Sequence, residues 1–227
     1  QAGRDLHRRP APVRDHGALS APAVLASFRY DSEAPLDGLL RPAVRDGGNR
    51  HWELRGPMLS VLADPAESTL WVSGGDTVLR ALCAQPAGDP WSLEIHRQPP
   101  SPAGRRRATV ESLLWNTAVW SSQGRIPVTM DPDVAVAVRA WPDLTRCVLT
   151  PSVLAVTALL AAGPQRPADV STLLAIPRSH AFVVLAALDA SGLLEGAAEP
   201  AATPPEPPTV HAERGLLRRF LARLRDA

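Results

Sequence analysis

Lysine is missing from this 227-residue chain: all 24 basic residues are arginine, set against 23 acidic ones, for a formal net charge of +1. The missing lysine reads as the codon bias of a GC-rich genome. The balanced charge removes the simplest argument for a dedicated nucleic-acid protein. Cysteine is scarce. Cys83 and Cys147 each sit in an apolar stretch and no CxxC occurs. They make neither a disulfide framework nor a zinc site, and read as small buried hydrophobes of a reducing cytosol. Long apolar runs are also lacking. A membrane helix needs ~18 apolar residues, and the best stretch, Val148 to Ala162, is broken by Thr150, Pro151, Ser152 and Thr157. No signal-peptide pattern is visible, and Gln1 in place of Met reads as a fragment or a processed end. GxSxG, GxGxxG and GxxxxGK[ST] are absent. His7, His16, His51, His96, His180 and His211 form no HxxxH or HxH pair. The sequence therefore predicts no catalytic constellation, metal site or cofactor.

Proline and apolar residues are plentiful. A hydrophobic content of 45% supports a globular core. The 24 prolines cluster and mark organisation. Residues 1–22 carry no period and read as a disordered arm. Residues 197–210 hold Pro200, Pro204, Pro205, Pro207 and Pro208 and read as a semi-rigid linker. Gln98 to Arg107 reads as a third soft stretch, with Arg105, Arg106 and Arg107 as a solvated charge run.

Between these, residues 23–140 read as a mixed α+β domain. Residues 35–44 predict a short helix or a turn-rich strand approach, limited by Pro42. Strands are predicted around 49–55, 91–96 and 134–138. Leu59–Leu62 and Thr69–Val72 flank Asp64-Pro65, a type I turn signal, and predict a hairpin. Asp76 is the predicted N-cap of a helix carrying Val78, Leu79, Leu82 and Cys83. Thr109 to Gln123 predicts a helix that Thr109, with Glu111 and Ser112, caps imperfectly, that Gly124 ends, and that is buried on two sides, because Trp115 and Trp120 lie off its main apolar face. The tryptophans at 52, 71, 91, 115, 120 and 141 read mainly as core, with one or two as exposed anchors. Gly74-Gly75-Asp76 reads as capping and Asp131/Asp133 as solvated carboxylates. Arg139 to Arg146, with its Trp141-Pro142 corner, reads as the joint between this domain and a helical one.

In residues 151–196, Pro151–Ala162 predicts an apolar helix, Pro167 opens a second, and Ser179 caps a third that Gly192 stops. The stretch from Leu159 to Ser179, followed by Leu185 to Glu195, resembles the winged helix-turn-helix family. The resemblance implies that the third helix enters the DNA major groove. The sequence departs from that pattern. The positions expected to be exposed on the third helix are His180, Ala181, Val183, Ala187 and Asp189, poor in base-reading groups. Nearby cations are few (Arg166 and Arg178), and Gly196 onward enters a proline-rich stretch where a wing hairpin belongs. Together with residues 113–125 and the Trp–Pro corner, the module also resembles a family of proteobacterial cytosolic proteins encoded with Ras-like small GTPases of surface motility.

Finally, Leu216, Leu217, Phe220, Leu221 and Leu224 fall on one stripe of a predicted C-terminal helix over 211–227, with Arg218, Arg219 and Arg223 on its other side. Peripheral membrane contact is one cover for that stripe, the chain's own domain a second, and a partner groove the third. The predicted architecture is thus α+β: a mixed domain at 23–140, a winged-helix-like helical domain at 141–196, a linker and an amphipathic helix. The predicted function is a non-catalytic cytoplasmic adaptor or regulator. It contacts protein through the C-terminal stripe and through Arg166, Arg178, His180 and Val183, with a Ras-like small GTPase implied as partner. A winged-helix transcription regulator is the alternative.

Overall fold

A computed structural model describes residues 29–31, 36–47, 50–56, 58–65, 67, 69–84, 91–98 and 100–196. The predicted arm, proline-rich linker and C-terminal helix lie outside the described residues. Among those described, the chain is a mixed α+β protein. Its central element is a five-stranded antiparallel sheet of order β5-β2-β3-β4-β6. The strands are β2 His51–Arg55, β3 Ser60–Asp64, β4 Thr69–Val72, β5 Ser92–His96 and β6 Arg106–Ala108. The predicted hairpin is present: β3 and β4 pair from Val61–Val72 to Asp64–Thr69 around the Asp64-Pro65 turn.

Alternation sends Trp52, Leu54, Val61, Ala63, Leu70, Val72 and Ala108 to one face. There they form one core with Leu40 and Ala43 of α1 (Leu36–Gly47), Leu79, Leu82 and Cys83 of α2 (Asp76–Cys83), and Leu113, Leu114 and Ala118 of α3 (Val110–Ser122). Helix α1 runs on through Pro42, where the sequence predicts its limit. Pro42 is on the exposed side, while Leu40 and Ala43 are buried, so sheet packing offsets the ~3 kcal/mol an interior proline costs. The N-cap of α2 is Gly75, not Asp76. The Asp76 carboxylate instead takes an ion pair from Arg106 at 2.6 Å.

Thr109 and Ser112 form a reciprocal capping box at the start of α3. Residues 112–118 of this helix are all buried. One side faces the sheet. The other places Trp115 in a second core with Ile126, Met130, Val136 and the last three helices: α4 Val153–Ala162, α5 Pro167–Leu173 and α6 Arg178–Ala190. Two short ladders complete this half. β1 (Arg29–Tyr30) pairs in parallel with β7 (Ile126–Pro127), and β8 (Val136–Val138) pairs antiparallel with β9 (Leu194–Gly196).

The arginine run is a solvated face only in part: Arg106 and Arg107 are exposed and Arg105 is half-buried, and each has a partner. Strand alternation splits it: Arg105 and Arg107 go to the outer face of the sheet and Arg106 to the helix face. Arg105 binds Glu53, Arg106 binds Asp76, and Arg107 donates to Thr69 Oγ1 at 2.9 and 3.1 Å. The expected soft stretch thus ends in strand β6.

Candidate protein-docking site

The third helix of the 151–196 segment, α6, has no free reading face. Ala181 and Ala187, expected to be exposed, are fully buried, as are Phe182, Val184, Leu185, Ala186 and Leu188. The correction has a plain cause. The helix packs against α3 on one side and against α4 and α5 on another, so wheel positions that would face solvent in a lone three-helix unit are covered here. His180 and Val183 are half-buried, Asp189 pairs with Arg41 at 3.0 Å, Arg178 is half-buried, and Arg166 is exposed just before α5. Pro177, not Ser179, occupies the N-cap position. Among the described residues β9 pairs with β8, which comes from upstream of α4.

The surface that stands out lies at the joint, residues 139–149. Helix α3 builds it. Asn116 uses both ends of its amide: Nδ2 donates to the Arg146 carbonyl at 3.4 Å, and Oδ1 accepts from the Val148 N–H at 2.7 Å. The Trp115 indole N–H donates to the Val148 carbonyl at 3.0 Å. One turn earlier, Glu111 Oε1 accepts from the Asp143 N–H at 3.3 Å. The Asp143 carboxylate caps a 3-10 turn over Leu144–Arg146 by accepting from the Thr145 hydroxyl at 2.6 Å and its N–H at 3.1 Å. The Thr145 hydroxyl and N–H hold the Asp143 pKa below its ordinary value. Within this frame the Cys147 thiol is raised to about 11, by burial first and then by the charges of Glu111 and Asp143. It is a packing group, as its sequence context implied, although half-buried, whereas Cys83 is fully buried.

Against that rigid backing, Pro142 is buried and Trp141 is 54% exposed. Leu149, further along the same segment, is also exposed. The sequence showed the Trp–Pro corner and suggested a joint. Its fastening by Glu111, Trp115 and Asn116 was hidden, because the partners are about thirty residues apart. Beside it, a cleft of about 270 Å³ is bordered by Arg106, Arg107, Arg146, Ser112 and Asn116.

No group of three His, Cys, Asp or Glu able to hold a metal occurs among the described residues, and no described helix is long and apolar enough to cross a membrane. The predicted stripe from Leu216 to Leu224 lies outside the described residues. Comparison with family models, curated proteins and solved structures finds no match to the chain.

Proposed function

We propose that the protein is a non-catalytic adaptor or regulator acting through protein contacts. Residues 151–196 are read as a degenerate winged-helix-like module that serves as a docking frame. A Ras-like small GTPase is the partner class implied by the sequence resemblance. The observation that carries this reading is Trp141, exposed on a corner held by three side chains of α3. Tryptophan is enriched among the few residues that dominate interfaces, and a pre-ordered anchor loses less entropy on binding. The winged-helix transcription regulator has against it the burial of Ala181 and Ala187.

The test is calorimetric titration of the full chain and its Trp141→Ala variant with small Ras-like GTPases loaded with GDP or a GTP analogue. Trp141→Ala should weaken binding at least about tenfold, or about 1.4 kcal/mol, and leave the melting temperature unchanged. Equal affinities would remove Trp141 from the interface. No binding to any GTPase in either state would overturn the partner class.

A further inference from the structure

Helix α4 reads ValLeuAlaValThrAlaLeuLeuAlaAla and carries no charge. Val153, Val156, Thr157 and Leu160 face inward and are buried. Leu154, Ala155, Ala158, Ala161 and Ala162 are exposed, Leu154 to 60%. Their spacing of i, i+1, i+4, i+7 and i+8 makes a single stripe. A helix that is apolar all round belongs in an interior, yet nothing among the described residues covers this side. With four alanines the stripe has little side-chain volume of its own. A second copy of it would add little apolar area, whereas a helix with large apolar side chains would cover it more fully.

The position of Gly196, at the end of the described chain, favours one such occupant. Val136 pairs with Gly196 on one side and bridges Gln165 on the other. Gly196 thus lies about two strand spacings, ~10 Å, from a residue just past the end of α4. From Gly196 the next 16 residues, 197–212, span up to ~50 Å at ~3.3 Å each, well over the ~15 Å length of α4. Charge points the same way. Asp131 and Asp133 lead toward β8, Glu195 pairs with Ala137, and the Ala168 N–H donates to the Pro132 carbonyl, which brings Asp169 alongside. None of these four carboxylates has a cation partner among the described residues. The segment 213–226 supplies Arg214, Arg218, Arg219, Arg223 and Arg225, and its apolar stripe repeats at i, i+1, i+4, i+5 and i+8.

We propose that residues 213–226 dock in cis on α4. Leu216, Leu217, Phe220, Leu221 and Leu224 cover the Leu154–Ala162 stripe, and the arginines face the Asp131, Asp133, Asp169 and Glu195 rim. The docked segment hides an apolar face that would otherwise associate with other molecules.

The experiment uses the full chain. Amide exchange of residues 156–163 should be at least about tenfold slower in the parent protein than in Leu217→Asp/Leu221→Asp, which leaves α4 itself unaltered. Equal exchange overturns the proposal. In Ala158→Cys/Leu217→Cys, mild oxidation should give an intramolecular disulfide in a monomer; crosslinked dimers or no crosslink overturn it. Vesicles of phosphatidylserine and phosphatidylcholine separate the remaining source of cover. If the parent binds vesicles and the α4 amides slow only in their presence, the segment is a membrane anchor and the cis reading fails.

Discussion

Arg105 and Glu53, fifty-two positions apart, form an ion pair across the outer face of the sheet. The pair follows from topology. β5 and β6 hold opposite edges, so the connection between them crosses four strand spacings, ~19 Å. It is fastened on the way by Arg105, whose guanidinium also donates to the Ser101 carbonyl at 3.2 Å. Glu53 is only 1% exposed beneath it, with Arg55 Nη2 at 2.8 Å and His96 Nε2 at 3.6 Å. Leu62, on the same face, is buried.

Removing Arg105 should therefore leave a buried carboxylate short of its cross-sheet partner. Arg105→Ala is expected to destabilise by about 2–4 kcal/mol, lowering the melting temperature by about 5–10 °C for a chain of this size. A loss below about 0.5 kcal/mol in denaturant unfolding would mean that the strap contributes no more than a surface ion pair.

The same site sets an acid dependence. Burial pushes the Glu53 carboxyl up, but the Arg55 hydrogen bond and the charges of Arg105 and Arg55 outweigh it, and the folded-state pKa lies below the ordinary 4.5. A lowered folded pKa gives stability that is complete above 4.5 and is lost as the pH falls through the folded value. Glu53→Gln should flatten the stability–pH curve below about pH 4.5. Parallel curves for parent and variant would contradict this.

Two glycines should fail for different reasons. Gly124 has φ +82°, and a Cβ there would come within 2.6 Å of Ser179 Cβ, where α3 ends against the start of α6. Gly124→Ala should cost about 2–4 kcal/mol, from the left-handed backbone and from overpacking. Gly192, after α6, has φ +66° and only Arg139 Nη2 near, at 3.8 Å. Gly192→Val should then cost at least about 1 kcal/mol through strain alone. Thermal melts of both variants check the order, and an equal or reversed order would refute the close approach of Gly124 to Ser179.

Asn116→Ala should release the joint. It strands the Val148 N–H and the Arg146 carbonyl, a loss of about 1–3 kcal/mol. Faster amide exchange at Val148 is the expected signature. Unchanged exchange would show that Trp115 alone holds the segment.

Selection from a random duplex library at ~150 mM salt should enrich no sequence, since non-specific binding is weak under those conditions and Ala181 and Ala187 of the third helix are buried. An enriched site whose binding is lost in His180→Ala or Arg178→Ala would restore the DNA-reading alternative.

Local rules carried some features reliably. The Asp64-Pro65 turn, the Thr109–Ser112 capping box, Pro167 at the first turn of α5 and Gly192 after α6 all act within four residues, so the sequence displays both partners together. The two-sided burial of α3 was likewise visible, as tryptophans placed off its main apolar face. Where competing local signals met, tertiary packing decided, as in the helix that continues through Pro42 and the cap that falls at Gly75.

The sequence by itself thus determined the α+β composition, the hairpin, and the helix starts and stops whose cause is local. Only the tertiary structure decided that Arg105 reaches Glu53, that β8 pairs with β9, and that Ala181 and Ala187 are buried instead of exposed. It also decided that Trp141 stands exposed on a pinned corner. The physical reason is distance along the chain: backbone periodicity records which side of an element is apolar, but which distant element covers that side is set when the layers pack.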